Sequence, residues 1–220
     1  MLDRYADDPR VTMIAGFNTD EESPVETDYF FTQAFSIWGW ASWARVVNDW
    51  DGEYAWLDDS QQVRRVEEIV RRRKYRSEFI EMCRQHKASG VPYYETIFWS
   101  YLLLHDGLAV MPRVNMINNV GMDAGTHYSG SLATTPRGLR RIFTMGRHDL
   151  QFPLRHPAEV VEDFGYKERY YRVNAWGHPW VKVGRSLEEL WLNLRYGNFR
   201  TIGNAIVARI KKTLGLKKHR

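Results

Sequence analysis

The sequence Val11-Thr12-Met13-Ile14-Ala15-Gly16 is a short apolar run rich in residues that favour β-strands. Pro9 lies before it and Asn18 after it, and both residue types interrupt regular structure. An apolar run of this length without polar alternation is typical of a strand buried on both faces, as in a parallel sheet covered by helices. Before it, Leu2 to Tyr5 have the pattern of a last helical turn. We therefore predict that the chain enters a sheet at residue 11.

Helical periodicity follows in the middle of the chain. From Ser60, a good N-cap, apolar residues recur at helical spacing up to Val70, which predicts a surface helix that continues after a break to Cys83. The turn residues Gly90-Val91-Pro92 end this segment. A second helix is predicted from about Tyr94 to His105, and it is apolar nearly all round, so it should be buried.

Strand-like and helical segments alternate after residue 105. Leu108 to Met111 and Val114 to Ile117 are predicted strands, with an edge or a bend at Pro112. Residues 121–138 are predicted to form a long loop. The capping-box spacing of Ser186 and Glu189 predicts that a helix begins there and runs to Gly197. The pattern as a whole indicates an α/β fold, with a mixed sheet flanked by helices and a helical extension at the C-terminus.

Composition excludes several classes of protein. The 220 residues contain no apolar run near the roughly 20 residues of a membrane-spanning helix. The N-terminus lacks the pattern of a secretory signal, so we expect a cytoplasmic protein. A single cysteine, Cys83, excludes an intrachain disulfide and a zinc site built from cysteines. The net charge of +4 is modest and argues against nucleic acid as a partner.

Tryptophan is concentrated in Ile37-Trp38-Gly39-Trp40-Ala41-Ser42-Trp43, which Trp50 follows. One interpretation is an aromatic cluster in the core, because tryptophan is usually buried. The other is a platform on which a sugar ring stacks, since the CH groups of a pyranose pack on indole and the indole N–H can donate to a hydroxyl. The sequence leaves both interpretations open.

Glu95 is the one acidic residue between Glu81 and Asp106, and it lies at the start of an otherwise apolar helix. A carboxylate in this position is stabilised by the helix dipole, by about 0.3–1 kcal/mol, which by itself could account for it. The functional interpretation is a general base at the rim of a cleft, where apolar surroundings tune the pKa of the carboxyl.

A third group of polar residues follows the predicted strand at 114–117. It comprises Asn118-Asn119-Val120-Gly121, then Asp123, and then Thr126-His127. Ligands of open α/β sheets collect at the carboxyl ends of the strands, so these side chains are candidates for a site. His127 could bind a metal or a phosphate, or it could be an ordinary surface residue. The sequence lacks the P-loop, Rossmann and hydrolase motifs, and its Asp49-Trp50-Asp51 has no apolar strand directly before it.

These segments resemble bacterial family 2-like glycosyltransferases of GT-A fold. The residues that carry the resemblance are Asp8 to Asn18, Tyr29-Phe30-Phe31, Ile37 to Trp43, Gly107 to Pro112, Asn118 to Gly121, Thr126-His127 and Phe152 to Pro157. The resemblance covers residues 1 to about 165 and implies transfer of a sugar from a nucleotide-sugar donor to a glycan acceptor. It implies that Glu95 is the base, that His127 lies near the diphosphate and a divalent cation (Mg²⁺ or Mn²⁺), and that Trp38, Gly39, Trp40, Trp43, Asn118 and Asn119 bind substrate.

The family's first strands and its acidic D-x-D motif have no counterpart in this sequence. We therefore expect an incomplete GT-A-like domain over residues 1–165, inactive by itself, with strands missing beside Val11 to Gly16, and an extension over residues 166–220. The last part of that extension is a basic amphipathic helix, from Ile202 to Leu214, and residues 199–220 are expected to contact the inner face of the membrane. The alternative is a non-catalytic module that binds glycans or a membrane surface.

Overall fold

The computed structural model describes residues 1–70, 73–120 and 131–213. The chain divides into two compact units. The first contains residues 1–119 and 144–178, and the second contains the described parts of 120–143 and 179–220. The predicted boundary at residue 165 stays a prediction.

The first unit holds the sheet and most of the helices. Its strands are β1 (Val11–Ala15), β2 (Tyr29–Thr32), β3 (Trp40–Ala41) and β4 (Leu108–Pro112), and its helices are α1 (Ala44–Val47), α2 (Ser60–Ile69), α3 (Arg73–Ser89), α4 (Tyr94–Leu104) and α6 (Phe164–Val173). The second unit holds nearly all of α5 (Arg137–Thr144), together with α7 (Pro179–Arg195) and α8 (Phe199–Thr213). Short 3₁₀ turns occur at Asp3–Tyr5, Ala55–Asp58 and Leu132–Thr134.

The sheet is mixed and has the strand order β2-β4-β1-β3. The central strands β1 and β4 are parallel, and β3 and β2 flank them in antiparallel orientation. The α/β prediction and the buried strand at residue 11 are therefore confirmed. Whether the sheet is an incomplete GT-A sheet stays a prediction.

The region around Pro112 was predicted only in part. β4 lies inside the sheet rather than at an edge, and Pro112 is its last residue. The predicted strand Val114 to Ile117 is wrong, since only Val114 forms an isolated bridge, to Glu22. The backbone N–H groups there bond to loops: Asn115 N–H donates to the Glu21 carbonyl and Met116 N–H to that of Gly16. The backbone N–H groups of this segment are thus satisfied by loop carbonyls, so the segment needs no strand as a partner.

Two helix starts also differ from the sequence prediction. Asp59, and not Ser60, caps α2, because its carboxylate accepts the N–H groups of Gln61 and Gln62. α7 begins at Pro179 and not at Ser186. Proline is well suited to the first position of a helix, where its missing N–H costs nothing, so the helix extends through the predicted capping box. The helices predicted at 94–105 and at the C-terminus are confirmed as α4 and α8. Among the described residues, no helix is both long and apolar enough to cross a membrane.

The two faces of the sheet support separate apolar clusters. β4 alternates cleanly: Ala109 and Met111 join the large cluster, which includes α4, whereas Leu108 and Val110 join a small one. The small cluster also contains Tyr5 and Tyr29, whose hydroxyls are 2.6 Å apart. Because both faces are covered, β4 is buried along its whole length.

The outer edge of β1 is completed by side chains. β3 pairs only with Ile14 and Ala15. Further back, the Arg45 guanidinium donates to the carbonyls of Tyr5, Ala6, Asp8 and Val11, at 2.7–3.3 Å, and Ser42 Oγ donates to the Thr12 carbonyl. Only the Val11 and Thr12 carbonyls belong to β1, and for these two the side chains take the place of an adjacent strand.

Candidate functional site

The candidate site lies where β1 and β4 end. Three residues join α4 to β4, so the helix and the strand run in opposite directions. The 11 residues of α4 and the 5 residues of β4 each span about 16 Å at the usual rise per residue. The N-terminus of α4, where Glu95 lies, is therefore level with the carboxyl end of β4. Trp40 confirms this placement, because it pairs with Ala15 at the end of β1 and its ring packs on Phe98, one turn after Glu95.

Glu95 is exposed, yet the protein around it is dense. Burial of the surrounding region raises the pKa of its carboxyl above the usual value, through desolvation. None of the described residues forms a hydrogen bond or an ion pair with this carboxylate. Its negative charge also acts on the buried Tyr75, whose pKa is raised first by desolvation and to a smaller extent by neighbouring charges that include Glu95. A carboxylate that is accessible but partly desolvated, with no competing partner, is suited to accept a proton from a ligand.

Aromatic rings surround the start of α4. Trp50 stacks on Tyr94 with ring centroids 5.6 Å apart, and it meets Phe98 edge-on at 5.1 Å. Trp40 meets the same Phe98 ring at 4.8 Å. Phe98 is fully buried, whereas Trp40 and Trp50 are half-buried and Tyr94 is exposed. The site therefore offers partly exposed aromatic faces beside Glu95.

The three tryptophans predicted to bind substrate have different surroundings. Trp38 packs on Phe17 at 4.6 Å, and Trp40 packs on Phe98. Trp43 belongs to the small cluster on the other face of the sheet, where its indole N–H donates to the Leu2 carbonyl at 3.1 Å. The Arg45 guanidinium lies 4.7 Å from its ring centroid. Their role in binding substrate stays a prediction, and Trp43 has structural contacts that account for its presence.

Gly39 joins the tryptophan segment to the strand ends. Its carbonyl accepts the N–H of Gly16 at 2.8 Å, directly after β1. Its φ of +58° lies in the left-handed region, and a Cβ there would overlap Cδ1 of Ile117. The segment Trp38-Gly39 and the segment Ile117-Asn118 are therefore adjacent at the same edge of the sheet.

Replacing Gly39 with alanine should destabilise the first unit. The left-handed conformation costs a non-glycine residue roughly 1–2 kcal/mol, and Ile117 must also move to make room. We expect the free energy of unfolding, measured by urea denaturation, to fall by about that amount. Gly52→Ala is the matched control, because a Cβ at Gly52 would meet nothing within 4 Å. Equal losses in the two variants would contradict the constraint at Gly39.

Asn118 is held by the fold through both ends of its amide. Its Nδ2 donates to the Met145 carbonyl at 2.7 Å, and its Oδ1 accepts from Nδ2 of the fully buried Asn115 at 3.1 Å. Asn115 also donates to the carbonyls of Ile117 and Gly146. These two residues fix residues 145 and 146 against the end of β4. Asn119 is half-buried, and substrate binding by Asn118 and Asn119 stays a prediction.

The described residues include no cluster of metal ligands for the divalent cation that the family resemblance implies. No group of three histidine, cysteine or acidic side chains comes together in residues 1–70, 73–120 and 131–213. His127, the residue predicted to lie near the metal, falls outside the described residues, as do Gly121, Asp123 and Thr126. The divalent cation therefore stays a prediction.

A surface cavity of about 330 Å³ lies elsewhere in the first unit, lined by Asp28, Arg113, Phe152 and Arg155 among others. Two ion pairs already occupy its charged groups, because Asp28 pairs with Arg155 at 3.1 Å and Arg113 pairs with Glu22. The Arg155 bonds also lower the pKa of Asp28. This cavity contains none of the residues predicted to act on a substrate, so the edge beside Glu95 remains the candidate site.

None of the protein-family models, curated proteins or solved structures with which the chain was compared is significantly similar to it.

Proposed function

We propose that this chain carries the acceptor-binding and base-bearing part of a nucleotide-sugar-dependent glycosyltransferase of GT-A type. In this proposal Glu95 removes the proton from an acceptor hydroxyl while that oxygen attacks the sugar of the donor. The observation that carries it is the Glu95 carboxylate: accessible, desolvated and without a partner among the described residues, at the edge where β1 and β4 end. The resemblance of residues 1–165 to family 2-like glycosyltransferases supports the same activity.

The environment of Glu95 favours a base. Desolvation raises the pKa of the Glu95 carboxyl, so its carboxylate binds a proton more strongly than an ordinary glutamate does. The group is thus both available and more basic than a surface glutamate.

The aromatic rings beside Glu95 favour a saccharide as the acceptor. Sugar rings present CH groups that pack on aromatic faces, and their hydroxyls are the nucleophiles that a carboxylate can activate. Trp40, Trp50 and Tyr94 supply such faces within the same cluster as Phe98. A glycan acceptor and a nucleotide-sugar donor are therefore the proposed ligands.

Binding of oligosaccharides should depend on Tyr94 and not on its neighbour Tyr93. Tyr94 stacks on Trp50 in the candidate site, whereas Tyr93 stacks on His86 at 3.8 Å. Tyr94→Ala removes one of the aromatic faces on which a sugar ring would pack, so it should weaken binding roughly fivefold. The measurement is a titration of tryptophan fluorescence with a panel of oligosaccharides, and Tyr93→Ala is the matched control.

The same titration separates the two classes of function. A glycosyltransferase, whether complete or supplied with its donor-binding part, should respond to nucleotide sugars and release nucleoside diphosphate when an acceptor is present. A glycan-binding module should respond to oligosaccharides and ignore UDP- and GDP-sugars. No response to either, or equal effects of Tyr93→Ala and Tyr94→Ala, would contradict the proposed site. In the coding DNA, an apolar strand followed by D-x-D in frame upstream of Met1 would support the transferase.

The second candidate is a module that binds a membrane surface. A specific observation favours it: α7 and α8 expose many large apolar side chains in a basic part of the chain. The two functions are compatible, because they use different units of the chain.

A further inference from the structure

Helix α7 exposes an apolar stripe along its length. The exposed apolar side chains are Trp180, Val183, Leu187, Leu190, Trp191 and Leu194. Most of them lie three or four residues apart, so they share one face of the helix. Trp180 is 84% exposed and Leu187 is 62% exposed. Isolated exposed apolar residues are ordinary, but a contiguous stripe of them marks an interaction surface.

Helix α8 extends this surface within the same unit. It packs against α7, and its exposed apolar side chains are Phe199, Ile206, Val207 and Ile210. The pair of helices therefore presents apolar surface from both members. The sequence predicted an amphipathic helix only in the second of them.

The charge of the chain is divided unevenly. Residues 179–220 contain ten lysines and arginines and two glutamates, a net charge of +8. The whole chain has a net charge of +4, so residues 1–178 have a net charge of −4. An apolar surface in a strongly basic segment attached to an acidic body is the pattern expected of binding to an anionic surface.

We propose that α7 and α8 bind to an anionic phospholipid membrane, with the stripe of α7 lying in the interface between headgroups and acyl chains. A helix of 17 residues extends about 25 Å and can lie in the plane of the membrane. Tryptophan favours this depth, since its ring is apolar and its N–H is polar. Arg195 is 5.2 Å from the Trp191 ring centroid and lies where a cation can reach lipid phosphates.

Charge distinguishes this partner from a second copy of the chain. Two copies joined through α7 would bring together two segments with a net charge of +8 each, which opposes association. Anionic lipid instead neutralises these charges while it covers the apolar stripe. The proposal does not depend on the role of Glu95.

The full chain should float with vesicles that contain phosphatidylglycerol and remain unbound with phosphatidylcholine alone. Binding should weaken at high salt, because the electrostatic part of the attraction is screened. Leu187→Glu and Trp191→Glu should each reduce partitioning at least about tenfold, because each replaces an apolar side chain that enters the membrane interface with a charged one. Both side chains are exposed, so neither substitution disturbs the core.

Val161→Glu is the matched control for Leu187→Glu. Val161 is 59% exposed in the first unit, and its replacement changes the net charge by the same amount. It should leave partitioning unchanged apart from a small electrostatic effect. Lack of binding to anionic vesicles, or equal losses in Val161→Glu and Leu187→Glu, would overturn the proposal. So would a lipid-free dimer, detected by sedimentation, that Leu187→Glu dissociates.

Discussion

Glu95→Gln should reduce sugar transfer by about 10²–10⁴-fold, the usual contribution of a general base. Glutamine keeps the shape of the side chain but cannot accept the proton. The rate should be measured as release of nucleoside diphosphate in the presence of a saccharide acceptor, with the donor-binding part supplied if the chain alone is inactive. In the unsubstituted protein, the rate should fall as the pH decreases through the raised pKa of Glu95, because the protonated form is inactive. This acidic limb should be absent from the residual activity of the variant.

Glu95→Gln should lower the reaction rate but should not lower the stability of the folded protein. Because the pKa of Glu95 is raised in the folded protein, its ionised form opposes folding above that pKa and has no effect below the ordinary glutamate pKa of about 4.3. At neutral pH, Glu95→Gln should therefore be at least as stable as the unsubstituted protein. The difference in unfolding free energy should disappear in acid.

Glu159→Gln provides the control for both measurements. Glu159 is exposed, and none of the described residues binds its side chain. Its replacement should affect neither the rate nor the stability. If Glu95→Gln kept full activity with an unchanged pH profile, Glu95 would not be the base. If the variant lost activity and also unfolded more readily at neutral pH, the loss would be structural.

Phe98→Ala should lower the free energy of unfolding by about 3–5 kcal/mol, as expected when a large aromatic side chain is removed from a packed core. Phe98 is completely buried and lies among the rings of Phe35, Trp40 and Trp50. The substitution would also remove the ring that both Trp40 and Trp50 contact. Saccharide binding should therefore weaken together with the loss of stability. Urea denaturation followed by circular dichroism measures the first effect.

Phe98→Leu distinguishes the effect of filling the core from the effect of the aromatic ring itself. Leucine fills most of the space, so this variant should lose only about 1 kcal/mol of stability. It lacks the aromatic edge that Trp40 and Trp50 contact. A loss below 1 kcal/mol in Phe98→Ala would show that Phe98 is not in the core of the first unit.

Local sequence patterns predicted the elements whose periodicity is complete within a few residues. The run at Val11 to Gly16 became β1, and the helix apolar on nearly all sides became α4. Local patterns gave wrong predictions where residues far along the chain accept the backbone hydrogen bonds of a segment. Residues 114–117 have the pattern of a strand, but the N–H groups of Asn115 and Met116 donate to the carbonyls of Glu21 and Gly16 in loops. At α7, the capping-box spacing was an internal coincidence, since Pro179 already begins the helix.

The sequence proposed the residues of the candidate site one by one, and their roles stay predictions, whereas the spatial arrangement of these residues came only from the structure. Glu95 was proposed from its place at the start of an apolar helix, and the structure adds that desolvation raises the pKa of its carboxyl. The sequence did not predict that Trp50 stacks on Tyr94, because the two residues are 44 positions apart. The separation of Trp43 from Trp40 was also missed, because adjacent positions in a sequence do not reveal which face of a sheet each ring joins.

The amino-acid sequence alone established an α/β chain with a buried strand at residue 11, a buried helix beginning near Glu95 and a basic amphipathic C-terminus. These features follow from the order of apolar and polar residues over short distances, and the backbone responds to that order locally. Only the tertiary structure showed which strands flank β1, that Glu95 lies at the same height as the carboxyl ends of the strands, and that α7 exposes an apolar stripe. They depend on pairings between residues tens of positions apart, whose free energies are realised only when the whole chain has folded.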